Sequence, residues 1–243
     1  MWQIAGVTSA GLVRDQNEDR VSVTGHRISE GQVVNLKASH RRQFVLIADG
    51  MGGHARGEVA SEIAIAHLEA MREILFKDGG SQTALRTANH AVYEAAFSNR
   101  ALQGMGSTIV GITVDANRCR WFNVGDSRAY LHRAGSLIQI SEDHVPHRAT
   151  GMRVSHSITQ SLGGGRFFVE IAPSLGDLTL EKHDRLLLCS DGLSDVLSHV
   201  EIEAIISESD VAECVKRLLA SCLARGAPDN VSVVLLRYLA SSS

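Results

Sequence analysis

The chain has 243 residues, 44% of them hydrophobic and 21% charged, with a formal net charge of −3. That composition belongs to an ordinary globular protein able to bury a substantial core, and its small acidic balance leaves no electrostatic footprint for nucleic acid or an anionic membrane. Met1-Trp-Gln-Ile-Ala-Gly6 has no basic segment leading into an apolar one, and no run approaches the roughly 20 apolar residues of a membrane span, so neither signal peptide nor membrane insertion is expected.

The first fifty residues alternate short β-like runs with turns and end in Phe44-Val-Leu-Ile-Ala48. The period then changes. Val59, Ile63, Ala66, Ala70 and Ile74 recur at spacings of three and four, which predicts one helix over 58–75. Asp78-Gly-Gly80 makes a break, and Leu85, Ala88, Val92 and Ala96 predict a second helix over 81–99. Four β-like segments follow at 108–114, 119–124, 129–133 and 137–140, with hairpin connections at Asp115-Ala-Asn117 and Ala134-Gly135.

Residues 142–168 are polar and read as a loop, and strands are expected again at 169–172 and 185–189. Helices near 200–207 and 210–224 and a strand over 231–238 close the chain. With three prolines and no linker or repeat, residues 1–243 are expected to form one domain, its sheets packed together and flanked by helices.

Acidic residues beside Gly or Asn mark four segments: Arg14-Asp-Gln-Asn-Glu-Asp19, Asp49-Gly-Met-Gly-Gly53, Ser190-Asp-Gly192 and Asp229-Asn230. Asp49 and Asp191 directly follow apolar strand-like runs, where an unmatched carboxylate is costly. Several such groups converging would give hard divalent cations an all-oxygen site. Each segment also has a plainer meaning. Asp49 could be an N-cap, Arg14 could form a surface ion pair, and Asp126 in Asn123-Val-Gly-Asp-Ser-Arg128 suits a structural turn. Asp195 is expected in the first turn of a helix begun near Asp191.

His54 reads as a hydrogen-bonded structural residue, and His144 with His147 lacks a third zinc ligand. The four cysteines, Cys119, Cys189, Cys214 and Cys222, form no CxxC pair, a usage expected of a reduced, cytoplasmic protein. No GxSxG, Cys/His pair or P-loop appears, so a covalent nucleophile has no support.

Six segments in one order resemble the metal-dependent Ser/Thr protein phosphatases of type 2C, most closely the small bacterial members. They are Gly11-Leu-Val-Arg-Asp-Gln-Asn-Glu-Asp19, Ala48-Asp-Gly-Met-Gly-Gly-His54, Gly104-Met-Gly-Ser-Thr108, Gly125-Asp-Ser-Arg128, Ser190-Asp-Gly-Leu193 and Asp229-Asn230. The resemblance implies an α+β fold: a four-layer αββα sandwich of two antiparallel sheets flanked by helix pairs, with a metal site at one end.

It further implies that Asp49 bridges two Mn²⁺ or Mg²⁺ ions, that the Gly50 carbonyl joins one, and that Asp191 and Asp229 hold the other. Glu18 and Asp19 would act through coordinated water, and Asp126 with Asp191 would hold a third, weaker ion. Arg14 would bind the substrate phosphate, so Arg14, Asp49 and Asp191 are the expected catalytic residues. The implied reaction is hydrolysis of phosphoserine and phosphothreonine in proteins by a metal-activated water, without a phosphoenzyme. Such an enzyme would oppose a bacterial Ser/Thr kinase in signalling, for instance in control of a secretion system, with phosphoproteins and that kinase as partners. A monomer is expected.

Two departures from the family pattern stand out. Met51 occupies a place where many eukaryotic members carry His, and it cannot donate a proton, so the general acid is unassigned. The flap after Ser141-Glu-Asp-His144 is short, and Ile158-Thr-Gln-Ser-Leu-Gly163 lacks the Arg usual in bacterial relatives. Two rival functions remain at this stage: a scaffold without turnover, which the intact set of Asp residues opposes, and a two-metal nuclease or small-phosphoester hydrolase, which the acidic charge and the motifs oppose.

Overall fold

The computed structural model describes residues 1–52, 56–146, 157–208 and 210–239. The chain begins with strands β1 (Trp2–Ser9), β2 (Arg20–Val23), β3 (His26–Arg27), β4 (Val34–Ala38), β5 (Arg42–Ala48) and β6 (Gly50–Met51). Helices α1 (Arg56–Ala70), α2 (Arg72–Leu75) and α3 (Gly80–Ser98) come next, with a 3₁₀ turn at Arg100–Leu102. Strands β7 (Gly106–Ser107), β8 (Ile109–Asp115), β9 (Arg118–Val124), β10 (Arg128–Arg133), β11 (Ser136–Gln139), β12 (Leu162–Gly163), β13 (Ser174–Thr179) and β14 (Arg185–Cys189) follow. Helices α4 (Asp191–Ser194), α5 (His199–Ile206) and α6 (Val211–Ala224) lead into the last strand, β15 (Val231–Tyr238).

Two six-stranded antiparallel sheets result, ordered β11-β10-β14-β15-β1-β4 and β13-β9-β8-β5-β2-β3. Their central strands are apolar on both faces, so alternate side chains enter different layers. In β5, Val45 and Ile47 join Ile112, Leu188 and Val234 between the sheets, whereas Phe44, Leu46 and Ala48 face Ala64, Leu68 and Leu85 of α1 and α3. In β15, Val234 and Leu236 point inward while Val233 and Leu235 meet Val215 and Leu218 of α6. The expected αββα layering is what the chain forms.

Both hairpins occur where expected, with Ala116 at φ 58° and Ala134 at φ 51° taking up the left-handed turn conformation. Gly79, at φ 69°, breaks the helices as expected, and Gly80 must lack a side chain because a Cβ there would lie 1.7 Å from the Ile74 carbonyl oxygen.

Three expectations are corrected. The helix expected over 58–75 is broken at Met71, whose N–H is shared between the carbonyls of His67 (3.1 Å) and Leu68 (3.2 Å), and the short α2 then buries Leu75. No strand forms at 169–172. There the Val169 carbonyl accepts from Asn89 (2.9 Å) and the Ala172 N–H donates to Gln160 (2.6 Å), so side chains take the groups that a ladder would need. The edge strand begins after Pro173, as β13, which pairs with β9 and alternates half-buried and exposed residues. The stretch 142–168 is not loop throughout, since β12 pairs with β7, and β7 with β6, in a small third sheet.

Candidate active site

Strand register gathers the carboxylates. Pairing of Arg20 with Ala48 sets Asp19 opposite Asp49, and pairing of Arg128 with Cys189 sets Asp126 opposite Asp191. Cys189 also pairs with Val233, which brings Asp229 to the same end of the sandwich as Asp191. Both sheets therefore contribute acids to one place.

Their proton affinities record the crowding. Burial first, then Asp19, Asp191, Asp229 and Asp126, holds the Asp49 carboxyl well above the usual carboxylate range. Burial and then Asp126, Asp229, Asp19 and Asp195 push Asp191 to about 7. Asp19 rises to about 6, chiefly by burial and against hydrogen bonds from Ser232 and Ser190, and Asp126 rises to about 6 by burial and the nearby Asp143 and Asp195. Carboxylates that raise one another in this way call for positive charge between them.

Two buried oxygens, Asp19 Oδ1 and Asp191 Oδ1, have no hydrogen-bond partner, and the donor set is all oxygen. These features fit hard divalent cations. Among the described residues, no three Asp, Glu, His or Cys side chains close on a common point as they stand. Asp229 is engaged by Arg14, whose Nη2 donates to Oδ2 at 2.7 Å. Arg14 is thus in an exposed ion pair, but its partner is a carboxylate of the cluster, so the guanidinium stands at the site's mouth.

Close backbone packing adds oxygens from the N-terminal side. A Cβ on Gly57 of α1 would lie 2.6 Å from both Glu18 Oε2 and the Gly50 carbonyl oxygen, so those two oxygens crowd one point. A Cβ on Gly50 would lie 2.0 Å from the Gly57 carbonyl oxygen, which leaves room there for glycine alone. Burial raises the affinity of Glu18 for its proton, while Arg14 and the Gly57 N–H act in the opposite direction.

Residues to which the sequence assigned no role hold this arrangement. Ser190 Oγ donates to Asp19 Oδ2 (2.8 Å) and accepts from the Ser232 N–H (3.0 Å), and Ser232 in turn meets Thr8 (2.8 Å). Asn230 Oδ1 accepts the Glu18 N–H (2.8 Å), and its amide donates to the carbonyls of Ala10 (3.1 Å) and Gln16 (3.0 Å). Thr108 donates its N–H to the Asp49 carbonyl (2.8 Å), and its hydroxyl meets Ser127 (2.8 Å). Arg128 grips Asp143 with Nε (2.9 Å) and Nη2 (2.7 Å) behind the Asp126 turn.

The signal for Ser190 and Thr108 was their place inside the Ser-Asp-Gly and Gly-Ser-Thr segments. Asp195 is corrected. It follows the four-residue α4, donating its N–H to the Asp191 carbonyl (2.8 Å), and it bears on Asp126 and Asp191 by charge. His144 accepts the Gly125 N–H at Nδ1 (3.0 Å) and is structural. Gly53, His54 and His147 lie outside the described residues, as does 147–156 of the flap.

Residues 33–236 match the family model for protein phosphatase 2C. The serine/threonine protein phosphatase PstP of Mycobacterium tuberculosis is 35% identical over 248 residues, covering 95% of this chain, which spans 44% of that relative's length. Protein phosphatase PhpP of Streptococcus pneumoniae is 29% identical over 253 residues, 96% of each chain. The catalytic domain of PstP in complex with two manganese ions superposes with a TM-score of 0.80 at 34% identity, covering 98% of this chain and 100% of that one. PppA of Pseudomonas aeruginosa, described as a key regulatory component of T6SS, superposes at 0.77 with 29% identity and 97% of each chain covered. The chain belongs to the protein phosphatase 2C family. Among its described residues no helix is long and apolar enough to cross a membrane.

Proposed function

We propose that the protein is a metal-dependent phosphatase that hydrolyses phosphoserine and phosphothreonine in proteins, with residues 1–243 acting as one catalytic domain. The observation that carries this reading is the end-on gathering of Asp19, Asp49, Asp126, Asp191 and Asp229, drawn from both sheets and close enough to raise the proton affinity of Asp49 and Asp191. Asp49, the Gly50 carbonyl, Asp191 and Asp229 would hold two Mn²⁺ or Mg²⁺ ions, Glu18 and Asp19 would support them through water, and Asp126 with Asp191 would hold a third. Divalent ions in such a site acidify water and offset charge that develops on phosphoryl oxygens.

The chain's own residues do the rest. Arg14 sits half-exposed beside Asp229 and can turn its fork to a phosphate, which a guanidinium binds through two parallel hydrogen bonds. Ser190 and Asn230 fix Asp19 and the Glu18 backbone before substrate arrives, so little reorganisation is needed at the moment of reaction. Met51 donates no proton, so the leaving oxygen takes its proton from another group or from water. A place opposite a bacterial Ser/Thr kinase belongs to the same proposal, and the similarity to PppA, described as a regulator of T6SS, supports secretion control as one setting.

The test is phosphate release from a phosphothreonine peptide with Mn²⁺, Mg²⁺ or EDTA, comparing the parent with Asp49→Asn. Metal-dependent release, lost by at least a hundredfold in the variant (about 3 kcal/mol), is the expected outcome. A folded parent that releases nothing with either metal would instead be a scaffold.

A further inference from the structure

Three arginines that meet no carboxylate among the described residues converge on one cleft. Arg56, Arg100 and Arg166 line it with Tyr93, Phe97 and Gln103, around a volume of about 620 Å³. Among the described residues, the one hydrogen bond made by these guanidinium groups runs from Arg56 to the Gln103 carbonyl at 3.3 Å. Many arginines elsewhere are matched, among them Arg20 to Glu58, Arg27 to Glu69, Arg128 to Asp143, Arg133 to Asp184 and Arg225 to Glu201. Three like charges left together repel one another, and an anion brought among them would relieve that repulsion.

One wall of the cleft adjoins the glycine packing beside the carboxylate cluster. Arg56 precedes Gly57, the residue against which Gly50 and Glu18 pack, and a Cβ on Gly52 would lie 3.3 Å from Arg56 Cβ. On its far wall Tyr93 and Phe97 stack at 6.0 Å, Phe168 meets Tyr93 edge-on at 5.4 Å, and Phe97 is 73% exposed. Exposed aromatic rings beside guanidinium groups suit an extended peptide that carries negative charge.

We infer that this cleft is a specificity subsite, taking an anionic side chain that the phosphoprotein carries a few residues from the phosphoresidue under attack. The bound group is a carboxylate or a second phosphate, and the aromatic wall holds the intervening chain. The inference rests on the phosphatase reading above and adds a substrate class to it: acidic or multiply phosphorylated segments.

Three phosphothreonine peptides test it, with flanking residues that are glutamine, glutamate, or glutamine plus one phosphoserine. Parent and Arg100→Gln/Arg166→Gln protein are compared by kcat/KM at low salt. The parent should prefer each anionic peptide about tenfold over the neutral one, the product of three exposed ion pairs each worth about twofold. That ratio should fall to about 2 in the double variant, with most of the change in KM, and should shrink in the parent as salt rises.

A parent ratio near 1, or a ratio unchanged in the variant, overturns the subsite. Preference for the phosphoserine peptide alone would assign the cleft to a second phosphate, and equal preference to any anion. If no peptide is hydrolysed, the phosphatase reading fails by itself, and fluorescence anisotropy decides the cleft. Tighter binding of the labelled glutamate peptide than of the glutamine peptide, lost in the variant, upholds the cleft, and equal binding overturns it.

Discussion

Asp191 stands where a buried strand meets a four-residue helix, and the surroundings raise its carboxyl from 3.8 to about 7, by burial and then by Asp126, Asp229, Asp19 and Asp195. Between those two values the folded chain keeps a proton that the unfolded chain has released. Stability without ions is therefore fully present below pH 4 and is lost as pH rises toward 7. Asp19 and Asp126, each raised to about 6, act in the same direction. In EDTA at pH 7.5, Asp191→Asn should stabilise the fold by on the order of 2 kcal/mol, with little change at pH 4. With Mn²⁺ the order should reverse, and phosphate release should fall at least a hundredfold in the variant. Urea denaturation at the two pH values checks this, and an unstabilised variant at pH 7.5 would show that the carboxylates do not strain the fold. Steric limits are equally local. Gly50→Ala would place its Cβ 2.0 Å from the Gly57 carbonyl oxygen, and should cost about 3 kcal/mol or more together with activity. Gly50, Asp49 and Asp191 were singled out by the order of the six motif segments, because an acid beside glycine after an apolar run could by itself be no more than an N-cap. Ser190 and Thr108 were not, because a buried hydroxyl declares its partner only once distant strands are in register.

Between elements, one amide side chain joins the two ends of the chain. Asn230, at the entry to β15, holds the Glu18 N–H and the carbonyls of Ala10 and Gln16 in the loop between β1 and β2. That loop carries Arg14, Glu18 and Asp19, so the geometry of three site residues depends on it. Asn230→Ala leaves three backbone groups without that partner and should destabilise the fold by about 2 kcal/mol, seen as a drop of roughly 5 °C in Tm. It should also raise the Mn²⁺ concentration needed for half-maximal phosphate release, a change that a purely local packing defect would not produce. Calorimetry and a metal titration check the two parts. The same reasoning separates elements that sequence shows from those it hides. β5, β14 and β15 were legible because both faces are buried along most of each strand and an unbroken apolar run fills its centre. β13 was not, because it is an edge strand with Gly176 against Trp121 and polar residues between. Met71 gave no sign of the break after α1, since the apolar spacings of three and four run past it to Ile74.

Across the whole molecule, four buried thiols sample two of the packed layers. Cys119 lies between the sheets, while Cys189, Cys214 and Cys222 lie between one sheet and α4–α6. Burial pushes Cys119 and Cys189 up to about 12 and Cys222 to about 11, so alkylation near pH 8 requires the layer around each thiol to open. Helices α5 and α6 are covered on one face, whereas the layer holding Cys119 is closed by a sheet on either side. Subglobal opening should therefore begin at the helices. In a urea series with iodoacetamide, Cys214 and Cys222 should be modified at lower denaturant than Cys119, and simultaneous modification of all four would show a single cooperative unit. The carboxylate cluster sharpens the test because Asp19 and Asp49 come from one sheet and Asp191 and Asp229 from the other. Ions held among them would clamp the sheets at their shared end and leave the outer helices free to open. Mn²⁺ at 100 times its dissociation constant should then lower global opening, and Cys119 labelling with it, by about a hundredfold, while slowing Cys214 and Cys222 much less. Equal protection of all four thiols would mean that the helices open only with the sheets. Unchanged labelling of Cys119 would mean that the ions do not join them.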